Sequence, residues 1–596
     1  MKSNMTIRLA LFFVVFVAVV IAAAPLVRAG GPLLVLNGQA TKWPNHEVRG
    51  GQLNSATVDA QGRVQYRVDS GNLGTLTNQQ ATGFVNRIFD EYTGIETASI
   101  EFVNAGPIRN PATGQAIDVT ASNFGTVVNP NNPTFQNPII FDDDGSITGD
   151  TEVLGFFGFV QIDEAANEVH EGFVVLNGAV LSGFGAVSET SFLGVFVHEF
   201  GHFAGPLDHA QINGHFADEL SGAVMPGFSP GQAYDLFAPF AETVYPFIFG
   251  RPFGAQSQFE DSGFFIATLD MDTRNALSNL YPAPDYSATT GSIEGRVVIR
   301  TPSGDVPVNG INVVARRLNP GVAYPPPLGT QAFTSPPTID EDEVPEAPQA
   351  QAATDPLVTA ASAVTGLDFG NGAYRIQGLP AGQYLVEIQE IIPDALGGSS
   401  IGPLFFQFTL PVEEFYSGPR ESNNEASGDF ELVTITPGSQ TANIDIVLNG
   451  FNSTAVTLAN EAEQNHKQKK AQRINFPIEL TGAAASSDKS LVRVDLEENG
   501  TDKVEDLYRI TVTTATRVVI FLEPISGEGD LDLYLFASSV KKNTFLGDSR
   551  LLDWSLNGAS TESIGTTPLL PPGQYLIGVS AFSGSQTYRL RVLSTQ

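Results

Sequence analysis

Apolar residues recur along the first half of the chain with two different periods. Residues 63–68 alternate apolar and polar, as a half-buried strand does. Directly afterwards Ala81, Phe84, Val85, Ile88, Phe89 and Tyr92 return every three or four positions, which predicts a helix with Thr77 as its N-cap. Residues 99–103, 138–141 and 172–176 read as further strands. A second helix carries an apolar body of Phe192, Leu193, Val195, Phe196, Val197, Phe200 and Phe203, and a third, through Leu277 and Leu280, ends at Tyr281-Pro282. Beyond Pro282 the helical period disappears. Residues 293–299, 311–315 and 372–384 alternate as strands, and the alternation returns toward the C-terminus in Asp530-Leu531-Asp532-Leu533-Tyr534-Leu535. The pattern predicts a multidomain chain, an α/β (α+β) domain followed by strand-rich segments.

At 596 residues the chain is long enough for several independent cores. Only 16% of its residues are charged, and 59 Gly and 38 Pro agree with strands and turns rather than long helices. Against 65 Asp+Glu stand 31 Lys+Arg, a net charge of −34, which repels phosphate backbones and argues against nucleic acid as a partner. Lys2 and Arg8 precede an apolar run over residues 9–27, and Val27-Arg28-Ala29 ends in a small residue suited to signal-peptidase cleavage. Residues 1–29 therefore read as a signal peptide of a secreted protein, with an uncleaved signal-anchor as the alternative. The absence of cysteine does not oppose export, because domains of this size fold without disulfides.

The candidate chemistry is concentrated in His198-Glu199-Phe200-Gly201-His202. A helix turns by about 100° per residue, so imidazoles at i and i+4 leave one face and can share a Zn²⁺ ion. Glu199 stands beside the first ligand as a general base for a water activated by the metal. Four of the seven histidines of the chain, His198, His202, His209 and His215, lie in this short stretch. The alternative is an amphipathic core helix with satisfied histidines.

The continuation Gly205-Pro206-Leu207-Asp208-His209, followed by Ala223-Val224-Met225-Pro226, resembles the metzincin metalloproteases, most closely the matrixin type. That resemblance implies a catalytic domain over residues 30–286, with protein or peptide as substrate, zinc as cofactor, and Met225 in a turn beneath the metal. Strict family spacing makes Asp208 the third ligand, whereas aligning Leu207-Asp208-His209 makes it His209 and treats Pro206 as inserted. His209 is the favoured ligand and Asp208 its rival, since both donors suit zinc. Gly205 is expected to end the helix through a positive φ. The strand around residues 172–177 is a candidate edge for an extended substrate. A non-catalytic surface or adhesion scaffold built on a degenerate metalloprotease domain is the alternative function.

Two further resemblances organise the remainder. Gly372-Ala373-Tyr374-Arg375-Ile376-Gln377-Gly378-Leu379-Pro380-Ala381-Gly382-Gln383-Tyr384 resembles the carboxypeptidase regulatory-like β-sandwich, placed at residues 287–449. Its Pro-rich and acidic insertion near residues 320–366 is expected to be disordered. Residues 450–474 read as a solvated linker. Asp506-Leu507-Tyr508, Gly529-Asp530-Leu531-Asp532, Pro572-Gly573-Gln574-Tyr575 and Tyr588-Arg589-Leu590 resemble the bacterial pre-peptidase C-terminal β-sandwich, placed at residues 475–596. By domain type these sandwiches suggest contact with a polymer or cell surface. Asp142 and Asp144 in an Asp-rich loop, and Asp530 and Asp532 on one strand face, are candidate Ca²⁺ ligands, with solvated carboxylates as the alternative. The sequence leaves the oligomeric state open.

Overall fold

The computed structural model describes residues 33–36, 39–44, 57–150, 153–182, 186–209, 242–244, 248, 263, 266–318, 357–364, 371–389, 414–423, 429–462, 465–488, 492–495, 501–538, 543–545, 548–556, 561–565 and 569–595. The leader at residues 1–29 lies outside them. No helix among the described residues is long and apolar enough to cross a membrane.

Strand β1 (Val64–Val68) leads into helix α1 (Asn78–Thr93). A capping box fixes the start of that helix: Thr77 Oγ1 accepts from Gln80 N, and the Gln80 side chain accepts from Thr77 N. The chain continues through β2 (Phe102–Pro107), β3 (Pro138–Asp142), β4 (Gly155–Asp163), β5 (Glu168–Asn177), α2 (Glu189–Ala204) and α3 (Met271–Leu280). The five strands form one sheet in the order β2-β1-β3-β5-β4, parallel except for antiparallel β4.

This order corrects one expectation. The strand around residues 172–177 is internal, with Val174 opposite Ile139 of β3 on one side and Phe157 of β4 on the other. The edge belongs to β4. Both faces of the strand are covered as well, Val174 and Leu176 packing into one apolar cluster and Phe173 and Val175 into another, so residues 171–177 are all buried.

Phe89 of α1 joins the layers. Its ring stacks on Tyr66 of β1 at 4.1 Å and on Phe200 of α2 at 4.4 Å, and meets Phe203 edge-on at 5.4 Å. Trp43, fully buried, closes the other end of the histidine helix: its indole N–H donates to Phe203 O at 2.6 Å, and its backbone N–H donates to Tyr281 Oη at 2.7 Å.

The middle domain contains β6 (Gly291–Thr301), β7 (Asn312–Leu318), β8 (Leu357–Val364), β9 (Ala373–Leu379), β10 (Gly382–Gln389) and β11 (Val433–Ile435). One sheet runs β8-β7-β10-β11, while β6 and β9 pair in the other. The insertion expected to be disordered through residue 366 thus ends in a strand, because β8 pairs antiparallel with β7.

The C-terminal domain is built on β14 (Thr501–Val512), β15 (Val518–Phe536) and β18 (Gly573–Ser594), with β13 (Val492–Asp495), β16 (Leu551–Ser555) and β17 (Glu562–Gly565) beside them. The expected linker is partly incorporated: Thr457–Asn460 pairs in parallel with β12 (Ile478–Ala485). Main-chain pairing needs no apolar side chains, so a polar segment can extend the sheet. Val519, Phe521 and Leu593 pack into the same core cluster as Ile293, Val313 and Ile388 of the middle domain. Arg591, 2% exposed, donates to Glu479 and Glu523, each at 2.9 Å, so its buried charge is paired.

Phe89→Ala should remove the ring shared by the sheet and both helices and destabilise the N-terminal domain by about 3–5 kcal/mol. Denaturant unfolding followed by near-ultraviolet circular dichroism measures this, and a loss below about 1 kcal/mol would reject the assigned role.

Candidate metal centre

Helix α2 begins with Ser188, whose side chain accepts from Ser191 N at 3.1 Å, and ends at Gly205, whose N–H donates to Gly201 O at 3.2 Å. Every residue from Ser191 to Ala204 is buried, so both its apolar body and its histidine face are held by packing. Tyr92 Oη of α1 donates to Val197 O at 2.8 Å, directly before the first histidine. Gly201 is small by necessity, since a Cβ there would meet Val244 Cγ1 at 2.5 Å.

The Nε2 atoms of His198 and His202 approach to 3.0 Å. Two nitrogens bound tetrahedrally at ~2.05 Å to one zinc would stand roughly 3.3 Å apart, close to this separation. His202 Nδ1–H donates to Leu207 O at 2.6 Å, which selects the tautomer whose Nε2 lone pair faces His198. The same bond turns the chain after the helix back toward its own histidines. His209 then joins the pair: one ligand atom from each of the three rings lies within 4.8 Å of the others. The carboxylate of Asp208 turns onto its own backbone, with Oδ1 accepting from His209 N at 2.9 Å.

The turn contains a correction. Gly205 has φ −116°, and the positive φ of +21° falls on Pro206. Glycine is required at 205 for space, because a Cβ would meet Leu207 Cδ2 at 2.7 Å.

Burial pushes His202 down to about 4, opposed by its bond to Leu207, and pushes His209 down to about 3, helped by His202. Both imidazoles are therefore neutral, the form that binds a metal. Burial raises Glu199 to about 8, and its Oε2 is buried without a hydrogen-bond partner among the described residues. Three convergent imidazoles beside a carboxylate fit a catalytic zinc with an open position.

Gly155 is the site residue that the sequence reading missed. It lies on edge strand β4, and a Cβ would stand 2.9 Å from Glu199 Cγ and 3.0 Å from Oε1. The run Gly155-Phe156-Phe157-Gly158-Phe159 lacks the apolar–polar alternation of a half-buried strand, so nothing in it singled out the residue that meets α2.

Met225 and His215 are outside the described residues. Asp142 is enclosed by its own loop, accepting from Ile147 N at 3.1 Å and from Thr148 N and Oγ1 at 2.7 and 2.6 Å, while Asp144 is exposed and accepts from Ser146 N at 3.0 Å. Asp532 is buried at 3% exposure and Asp530 is half-buried, so neither is a freely solvated carboxylate.

The family model of the bacterial pre-peptidase C-terminal domain matches residues 504–581. No curated protein matches the chain. Among solved structures, the pre-peptidase C-terminal domain of collagenase from Bacillus anthracis is 18% identical, with 20% of this chain and 93% of that chain covered and a TM-score of 0.15. PliG of Aeromonas hydrophila, a periplasmic inhibitor of g-type lysozyme, is 15% identical, with 24% and 97% covered and a TM-score of 0.14. The major pilin SpaD of Corynebacterium diphtheriae is 14% identical, with 52% and 57% covered and a TM-score of 0.13.

The two rivals for third ligand separate in a zinc competition assay. His209→Ala should weaken zinc binding by more than the ~10–100-fold typical of losing an outer-shell partner, while Asp208→Asn should stay within that range. The reverse order would make Asp208 the ligand.

Proposed function

We propose that the N-terminal domain is a secreted, metzincin-like zinc endopeptidase, with His198, His202 and His209 holding the metal and Glu199 acting as general base. The observation that carries this reading is the 3.0 Å approach of the His198 and His202 Nε2 atoms, with the His209 ring beside them and Glu199 buried on the same helix. Zn²⁺ held by these imidazoles would supply Lewis acidity to a water and a peptide carbonyl. Glu199 would take a proton from that water and pass it to the departing amine. Burial alone raises Glu199 to about 8, and the charge of the cation beside it would favour the ionised form that accepts a proton.

Edge strand β4 offers its main chain to an extended peptide, which adds as a further strand beside Glu199. This reading moves the substrate edge from residues 172–177 to Gly155–Asp163. The match to a pre-peptidase C-terminal domain fits a bacterial peptidase, and the leader pattern fits export. The two sandwich domains serve to position the enzyme on a polymer or cell surface.

Glu199→Gln should retain zinc and lower hydrolysis of an unfolded protein substrate by ~10²–10⁴-fold. A folded, zinc-loaded parent that leaves such substrates intact would favour the non-catalytic scaffold instead. Gly155→Ala should displace the Glu199 carboxylate and reduce kcat roughly 10–100-fold with zinc content unchanged. Parent-like turnover in that variant would show that the close contact does not position the base.

A further inference from the structure

Charge is distributed along this chain in a way that its overall acidity does not explain. Between Arg109 and Arg251 the sequence runs for 141 residues without a Lys or Arg, and over that span it carries 17 Asp and Glu. All 31 Lys and Arg fall in the remaining residues. The two sandwich domains mix the signs and pair them, as in Arg296 with Asp445 at 3.2 Å, Arg300 with Asp305 at 3.1 Å and Arg591 with Glu479 at 2.9 Å. Acid needed only for solubility does not require the removal of bases from the one stretch that contains β3, β4, β5, α2 and the three candidate ligands.

The structure gathers part of this charge at the two ends of edge strand β4. The loop that follows β3 leads into β4, and its Asp143, Asp144 and Asp150 are exposed. Asn177 fixes that loop: its Nδ2 donates to Asp150 O at 3.1 Å and to Val153 O at 2.8 Å, one residue beyond the Leu176 that faces Gly155 across the sheet. Asp118, also exposed, faces the same loop, since Asp143 and Asp144 add to burial in raising its carboxyl, opposed by a hydrogen bond with Asp69. At the far end Asp163 closes β4 opposite Glu168 of β5, and the exposed Glu164 follows it. Between these ends the strand is half-buried except at Val160, and no further strand pairs beyond it among the described residues. Its outer main chain is therefore a pairing edge. Beside its first residue stands Glu199, whose Oε2 is buried without a hydrogen-bond partner among the described residues.

Resting on the peptidase reading, we propose that β4 is the docking edge for cationic extended peptides that carry Lys or Arg on both sides of the segment paired with Gly155–Asp163. A neutral peptide gains main-chain hydrogen bonds there and little else. A cationic peptide adds attraction to Asp143, Asp144 and Asp150 at one end and to Asp163 and Glu164 at the other. The same field raises its local concentration and its rate of encounter. The nine residues of β4 span roughly 30 Å, about three Debye lengths at 0.1 M salt, so each acidic end acts on its own.

The experiment measures peptide binding by fluorescence anisotropy to the full-length, zinc-loaded Glu199→Gln protein, which separates recognition from turnover. Two labelled peptides of equal length and apolar content are compared, one with Lys at both ends and one with Gln there. At about 0.05 M NaCl the Lys peptide should bind ~10-fold or more tightly, and the advantage should shrink at about 0.5 M. Asp143→Asn/Asp144→Asn and Asp163→Asn/Glu164→Gln should each lose part of that advantage. Asp495→Asn/Glu528→Gln removes as much charge from exposed positions of the C-terminal domain and should keep it. Equal affinity for the two peptides, an advantage insensitive to salt, or an equal loss in all three double variants would overturn the proposal. Turnover by the parent tests the peptidase reading separately. Hydrolysis of both peptides with equal kcat/KM would refute the charge preference alone, whereas salt-dependent preference in binding without hydrolysis would refute the endopeptidase and leave the cationic docking edge standing.

Discussion

The clamping of Phe89 between Tyr66 and Phe200 is the contact on which the candidate centre depends. It fixes α2 against both the sheet and α1, and therefore fixes the direction of the helix face that bears His198 and His202. Two imidazoles on a mobile helix would lose much of the advantage of their spacing, because each would have to be ordered when the metal binds. Here the ordering is already supplied by packing. Trp43 and Tyr92 complete it by hydrogen-bonding carbonyls near the end and the middle of the same helix.

The third imidazole is positioned by a different device. His202 turns one nitrogen toward His198 and uses the other to hold Leu207 O, so a single side chain both faces the neighbouring imidazole and pins the turn that returns His209. The tight space at Gly205, where a Cβ would meet Leu207, falls within that turn, and the buried Leu207 packs against the helix end there. Edge strand β4 then sets Gly155 against Glu199, which links the position of that carboxylate to the edge of the sheet.

Much of this was legible in the sequence wherever one short-range rule dominated. The Thr77–Gln80 capping box, the α1 periodicity and the i, i+4 histidines each depend on local geometry alone. The exchange of roles between Gly205 and Pro206 did not follow, because it depends on how Leu207 packs against the helix end. Strand β4 escaped notice because aromatic residues and glycines occupy both of its faces, which removes the alternation that marks a half-buried strand. Thr457–Asn460 escaped for the opposite reason: its side chains are largely exposed, and only main-chain pairing makes it a strand. The alternation around Asp530 and Asp532 placed them on one face but could not reveal that this face is covered.

Burial sets the charge of the histidine centre and of the acidic face of the C-terminal domain in opposite directions. It lowers His202 and His209, which favours the neutral rings that a metal binds. It raises Glu505 and Asp532, which favours retained protons on that face. Val519, Phe521 and Leu593 share a core with the middle domain, so the sheet that carries those carboxylates is also the one against which that domain packs.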